Sequence, residues 1–231
     1  MDFSKAETII GLEFKNKELV ATAFTHRSYL NEHSNYQNPS NERLEFLGDS
    51  ILQFLTSEFL FNNYPREPEG MLTSYRAAAV CTVSLAAESA KLGYGNFLLL
   101  SHGEEASGGR TKEYLLANTF EAVLGAIYMD SFDIDFCRRY LLKNLFYKLD
   151  EIVKNESYRD FKSRFQEEAQ EKKGLTPQYK VLDESGPDHD KKFAVGVFLG
   201  NTKAGEGEGS SKQRAEQAAA ENALANLDNI S

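Results

Sequence analysis

The sequence predicts an all-α domain followed by a small α+β unit with the order α-β-β-β-α. Three observations predict it. Apolar residues recur at helical spacing through about residue 150, with no convincing strand alternation. The stretch "KNESYRD", residues 154–160, is short and polar and reads as a linker. Beyond it, two strand-like runs and a weaker third lie between two helical patterns. The expected boundaries are residues 1–154 for the helical domain, 155–159 for the linker and 160–229 for the second domain.

The elements follow in chain order. "KNKELVATAFTHRSYL" has apolar positions at helical spacing, and "NERLEFLGDSILQFLTSEFLFNNYP" is a long helix stopped by Asn63 and Pro65. "GMLTSYRAAAVCTVSLAAESAKLG" holds one or two more helices ending at Gly93. "HGEEASGGRT" reads as a polar, Gly-rich loop. "LLANTFEAVLGAIYMD" and "DFCRRYLLKNLFYKLDEIV" each read as one helix. In the second domain "DFKSRFQEEAQEKKG" is an amphipathic helix with Phe161, Phe165 and Ala169 on one stripe and Gly174 as its C-cap. "PQYKVLDES" and "KKFAVGVFLG" are strands joined by "GPDHD", and "TKAGEGEG" is the weaker third. "SSKQRAEQAAAENALANL" is an Ala-rich helix behind two serines, both good N-caps.

Composition narrows the class. The chain is 41% hydrophobic and 26% charged, ordinary for a globular protein. No run approaches the roughly 18–20 apolar residues of a membrane span. The N-terminus lacks a basic stretch followed by an apolar core, so no secretory signal is expected and the cytoplasm is. Cys81 and Cys137 sit in apolar segments without metal-type spacing, so both are expected as buried thiols. Net charge is −9, with −7 on residues 1–156 and −2 on residues 157–231. Neither part is basic, so any nucleic acid must be met by a local patch rather than a global field.

The candidate chemistry lies on two helices. In "NERLEFLGDS" Glu42, Glu45 and Asp49 fall within about 60° of helix surface at about 100° per residue. Leu44, Leu47, Ile51 and Leu55 run down another side as a core stripe. Alone, three acids on one arc are a solvated face. Asn118 and Glu121 change the balance: they stand one turn apart among Ala117, Phe120, Val123, Leu124, Ile127 and Tyr128. A carboxylate there is costly unless something neutralises it. If the two helices cross, with Gly48 and Gly125 permitting close approach, the polar sets share a pocket. Converging carboxylates gather around protons or cations, and hard oxygen donors suit Mg²⁺ or Mn²⁺. Two such ions are a known device for phosphodiester hydrolysis.

At these residues the chain resembles the ribonuclease III family. "NERLEFLGDS" is similar to its signature, "FTHRSY" precedes it, and "YPREPEGMLTSYRAAAV" and "SGGRTKEYLLANTFEAVLGAIYMD" follow in family order. The second domain resembles a double-stranded-RNA-binding domain through "GPDHDKKF" and "GEGSSKQRAEQAAAENAL". The resemblance implies an all-α endonuclease domain that forms a homodimer and cuts double-stranded RNA with Mg²⁺ or Mn²⁺. Products carry 5′-phosphates and 3′-hydroxyls, and the implied role is in rRNA and mRNA processing. It implies Glu45, Asp49, Asn118 and Glu121 as metal ligands, and Asp49, Glu121 and Glu42 as catalytic residues. Glu69 matches a further acid near the site. The family usually has Asp where this chain has Asn118.

For RNA binding the resemblance implies Gln166 and Glu167 on the first helix of the second domain and His189 in the strand-to-strand loop. It also implies Ser211, Lys212, Gln213 and Arg214 at the start of the last helix, where free N–H groups favour a phosphate. Gln213 stands in place of a usual lysine. The alternative reading is a double-stranded-RNA-binding protein of the same fold that cuts weakly or not at all because of Asn118. An Asn118 amide oxygen facing Glu45 and Glu121 makes it a weakened metal ligand; a side chain turned away favours the binding-only reading.

Overall fold

The computed structural model describes residues 2–154, 161–186 and 191–227. The chain divides into two units, Met1–Tyr158 and Arg159–Ser231. The polar stretch expected as a linker, residues 155–159, lies outside the described residues, as do His189 and most of the "GPDHD" turn.

The first unit is built of helices α1 (Ser4–Ile10), α2 (Lys17–Ala23), α3 (Arg27–Glu32), α4 (Glu42–Asn63), α5 (Glu69–Val80), α6 (Thr82–Lys91), α7 (His102–Ala106), α8 (Glu113–Ser131), α9 (Ile134–Asn144) and α10 (Leu149–Lys154). The central element is α8. Leu116, Phe120, Val123, Leu124 and Ile127 are all buried on it, so it is enclosed by α2, α4 and α6. Helix α4 packs Leu44, Ile51, Leu52 and Leu55 into the same core, while Leu47 is only half-buried at its edge. It stops at Asn63 because Tyr64 precedes Pro65, whose ring disfavours helical geometry in the residue before it.

Two glycines let α4 and α8 cross in contact. A Cβ on Gly48 would stand 1.8 Å from the carbonyl oxygen of Glu121, and a Cβ on Gly125 would stand 2.2 Å from that of Leu44. No other residue type fits either position without parting the helices. This is the crossing expected from the two segments.

Three expectations need correction. "HGEEASGGRT" is not all loop: it holds α7, capped by Ser101, and a 3₁₀ turn at Gly109–Thr111. The Ser101 hydroxyl accepts from the Glu104 N–H, which makes a one-turn helix viable in a polar stretch. The segment from residue 134 to 154 is not one helix. Leu145 leaves helical geometry at φ −138°, and a 3₁₀ turn at Phe146–Lys148 intervenes before α10. The break turns Phe146 and Leu149 inward, and both are buried. Cys137 is buried as expected, but Cys81 is exposed, because it is the extended residue (ψ 157°) between α5 and α6.

The second unit contains α11 (Phe161–Lys173), β1 (Pro177–Ser185), β2 (Lys192–Leu199), β3 (Thr202–Gly209) and α12 (Lys212–Asn226). The strands form an antiparallel sheet in the order β1-β2-β3. Strand β3 is a full eight-residue strand despite its poor composition. Its alternate glycines are required by the helix behind it. A Cβ on Gly205, Gly207 or Gly209 would stand 2.2–2.6 Å from backbone atoms of α12. Ala215, Ala219, Ala220 and Ala223 form the helix's buried face and close the same gap from the other side. Among the described residues, no helix of either unit is long and apolar enough to cross a membrane.

Candidate active site

The site grows from the crossing of α4 and α8. Glu42, Glu45 and Asp49 project from the first turns of α4, and Asn118 and Glu121 from the facing side of α8. Gly48 rests on the backbone carbonyl of Glu121, and the charge of the neighbouring Asp49 acts on the Glu121 carboxyl. Glu121 is half-buried. Its carboxyl is pushed up to about 7, first by burial, then by the charges of Asp49 and Glu45. Glu45 is also pushed up, by burial and then by Glu42, while a hydrogen bond from the Asn118 side chain opposes the shift.

The Asn118 amide N–H, rather than its oxygen, is the part that meets Glu45. An aspartate there would place one more negative charge against Glu45 when no cation is bound.

Three partners were not foreseen from sequence. Gln53 Nε2 donates to Asp49 Oδ1 at 3.2 Å, one turn along the same helix. Ser40 Oγ donates to Glu42 Oε2 at 3.0 Å, and the Arg27 guanidinium stands 3.4 Å from Glu42 Oε1. The first had a signal, the i,i+4 spacing of Asp49 and Gln53. Arg27 lay in the quoted "FTHRSY", but nothing local told that it meets Glu42. Glu42, Glu45 and Asn118 share a cleft of about 240 Å³ with His26, Arg27 and Tyr114.

Glu69 is not in this cleft. It is the first residue of α5, accepts a hydrogen bond from Thr73 Oγ1 at 3.0 Å, and lines a separate groove with Phe54, Phe61 and Arg76. The expectation of an acid near the site is therefore corrected within this unit: Pro68 opens α5 in an extended conformation and aims Glu69 at the C-terminal half of α4.

The donor set fits a hard divalent cation. It consists of carboxylates and one amide, and the carboxyl of Glu121 is held near neutrality only by burial and by its acidic neighbours. As they stand, no three His, Cys, Asp or Glu side chains among the described residues are gathered closely enough to hold an ion. Gln53 holds Asp49 along α4.

In the second unit Gln166 and Glu167 are exposed on α11, on one face with Ser163 and Gln170. Ser211 caps α12 by accepting from the Arg214 N–H at 3.2 Å, and Arg214 also donates to Ser210 Oγ. Lys212, Gln213 and Arg214 are exposed at this helix start, with no acid in its first turn. Lys212 lies 3.9 Å from Glu184, an exposed and weak pairing. The arrangement presents cations and a helix N-terminus on one surface.

The fold has known counterparts. Residues 16–148 match the family model Ribonuclease-III-like, and residues 161–227 match Double-stranded RNA binding motif. Ribonuclease 3 of Geobacillus kaustophilus strain HTA426 is 44% identical over 225 residues, covering 97% of this chain and 91% of that protein. Ribonuclease 3 of Oceanobacillus iheyensis is 41% identical over 229 residues, covering 99% of this chain and 100% of that protein. Among solved structures, the nuclease domain of ribonuclease III from Campylobacter jejuni is similar at 35% identity and a TM-score of 0.58. The match spans 63% of this chain and 97% of that one, and that structure was described for flexibility in a region involved in dimer formation. Similarity over nearly the full length, with acids on two crossing helices and a separate RNA-binding unit, leads to one conclusion: the chain belongs to the ribonuclease III family and is an endoribonuclease with a double-stranded-RNA-binding motif.

Proposed function

We propose that this chain cuts double-stranded RNA by divalent-cation-assisted hydrolysis at the crossing of α4 and α8, leaving a 5′-phosphate and a 3′-hydroxyl. The observation that carries the reading is the close crossing of α4 and α8 at Gly48 and Gly125, which gathers acids from both helices, and there burial and the charges of Asp49 and Glu45 push the Glu121 carboxyl up to about 7. Such a group is poised to trade its proton for a cation. Glu45, Asp49, Asn118 and Glu121 would hold Mg²⁺ or Mn²⁺. When bound, the cations supply a water of lowered pKa and positive charge at the leaving oxygen.

The remaining work falls to the chain's own residues. Asp49 and Glu121 fix the acidic centre, with Gln53 holding the Asp49 carboxylate in place. Glu42, tethered by Ser40 at the cleft, orients the attacking water. The attack breaks the P–O3′ bond, so the phosphate stays with the 5′ end of one fragment and the 3′-hydroxyl with the other. Lys212, Arg214 and the N-terminus of α12 grip phosphates, and Gln166 and Glu167 on α11 meet a minor groove. His189 is assigned to the next minor groove by the resemblance.

The nuclease unit works as a homodimer in this reading. Phe46 is 77% exposed on α4, at the rim of a hollow of about 870 Å³ lined by Leu19, Leu44, Leu47 and Met129. An aromatic side chain so placed fits the same hollow on a second copy. The setting is the cytoplasm, and the substrates are structured rRNA and mRNA precursors.

The near-full-length similarity to ribonucleases 3 supports a cutting enzyme, and the binding-only alternative turns on Asn118. The test is cleavage of a long perfect duplex in Mg²⁺ and in Mn²⁺, by this chain and by Asn118→Asp. This chain is expected to cut, and the Asp form to cut about tenfold faster through its added charge at the ions. Binding without cutting in either metal, with cutting restored in the Asp form, would establish the binding-only reading instead.

A further inference from the structure

The segment "FTHRSY" is tied into the site by its backbone. The His26 N–H donates to Leu99 O at 3.1 Å, the Leu99 N–H to Phe24 O at 2.8 Å, and the Asn41 N–H to Thr25 O at 2.9 Å. The Asn41 side chain also donates to Ala23 O at 3.4 Å. Asn41 is the residue before α4. The strand of chain that carries His26 therefore also fixes the first turn of the helix that carries Glu42, Glu45 and Asp49.

The imidazole of His26 is set in one tautomer. The Ser28 N–H donates to Nδ1 at 3.3 Å, which caps α3 and makes Nδ1 the unprotonated nitrogen. Ser28 Oγ stands 2.8 Å from Nδ1 and accepts from the Ser101 N–H at 3.1 Å, so its own proton is directed at Nδ1. The ring proton is left on Nε2. Burial lowers the ring's pKa, which keeps it neutral near pH 7.

Among the described residues, nothing hydrogen-bonds Nε2. His26 lines the cleft that also holds Glu42, Glu45 and Asn118. Capping alone does not call for histidine, since Ser, Thr, Asp and Asn are the preferred caps. What the imidazole adds is a second nitrogen, a neutral donor on a side chain that lines the cleft with Glu42 and Glu45, with the exposed Arg27 next to it.

We propose that His26 contacts the substrate, its Nε2–H donating to an oxygen of the RNA nucleotide beside the scissile bond. This rests on the reading of α4 and α8 as the cutting site. The acceptor is a 2′-hydroxyl or a non-bridging phosphate oxygen, the two acceptors that RNA presents along its backbone.

Two variants separate the contact from the cap. His26→Asn keeps an oxygen where Nδ1 stands, and Asn is a strong N-cap, but it has nothing at the place of Nε2. His26→Gln reaches that place with an amide N–H. In single-turnover cleavage of a duplex RNA, His26→Asn is expected to cut about tenfold more slowly, the loss of one hydrogen bond. Its RNA affinity should fall by no more than that same factor, its thermal midpoint should be unchanged, and His26→Gln should recover part of the rate. Single 2′-deoxy and single phosphorothioate substitutions along the strand then identify the acceptor. At one position the substitution slows the unaltered chain but not His26→Asn; the substitution type tells hydroxyl from phosphate. Cutting by His26→Asn at the unaltered rate, or equal sensitivity of both proteins at every position, overturns the proposal.

A second measurement does not depend on turnover. In the Glu121→Gln form with Mg²⁺, the imidazole ¹⁵N spectrum of His26 is followed as duplex RNA is added. A downfield Nε2–H resonance protected from exchange at saturation is expected. An unmoved His26 signal overturns the inference, whether or not the unaltered chain cuts. A shifted His26 signal in this form, together with a duplex that the unaltered chain leaves uncut in Mg²⁺ and in Mn²⁺, would fail the cutting reading and leave the contact standing.

Discussion

At the scale of the residue, Glu121 joins sequence to chemistry. Its folded pKa of about 7 lies above the ordinary 4.5 of its unfolded form. Between those values the folded chain holds a proton that the unfolded chain has released. The stability that goes with that proton is full below about pH 4.5 and is lost as pH rises toward about 7. In chelator, the thermal midpoint is therefore expected to fall across that interval, and to fall less in Glu121→Gln. Calorimetry at stepped pH measures it, and parallel curves for the two forms would contradict the shift. Mg²⁺ should reverse the fall above pH 7, because a cation favours the ionised group. Glu42, Glu45, Asp49 and Glu121 were legible because helical periodicity puts them on defined faces. Glu69 was not, because its placement depends on where Pro68 starts α5 relative to α4. Cys81 read as core from its apolar neighbours, yet a break between helices exposes it.

At the scale of the element, the crossing of α4 and α8 does the positioning. Gly48 and Gly125 each touch a backbone carbonyl of the opposite helix, so a single methyl group must push the helices apart. Gly48→Ala is expected to lower stability by about 3 kcal/mol, at the upper end of overpacking costs. Cleavage should fall by much more than RNA binding, since Asp49 and Glu121 lose their spacing while the second unit is untouched. Denaturant melts paired with cleavage rates check this, and an unchanged midpoint would argue against close contact. The possibility of this crossing was readable from two glycines, but its geometry was not. The same holds for β3: glycine in a strand reads as weakness, and only the Ala-rich face of α12 shows why alternate glycines are needed. The helix break at Leu145 had no local signal, since neither glycine nor proline marks it, and burial of Phe146 and Leu149 in the tertiary core decides it.

At the scale of the whole molecule, a chain of net charge −9 binds a polyanion. Local patches and captured cations reconcile the two. Affinity for duplex RNA is expected to rise on adding Mg²⁺ at matched ionic strength; equal binding in Mg²⁺ and chelator would contradict a cation-filled acidic site. Assembly has its own test. Phe46→Asp is expected to weaken self-association about 30-fold or more, as for a buried aromatic anchor, with sedimentation velocity as the readout. An unaltered dimer would remove Phe46 from the interface. The two-unit plan was legible from the change of composition near residue 155, whereas pairings such as Arg27 with Glu42 join distant segments and leave no mark in local sequence. The most direct test of the account replaces one carboxyl and measures two properties. Glu121→Gln, assayed in Mg²⁺ on a long perfect duplex RNA, is expected to lose cleavage by about a thousandfold or more while binding that duplex as tightly as the unaltered chain. Retained cleavage in this variant would contradict the assignment of the site.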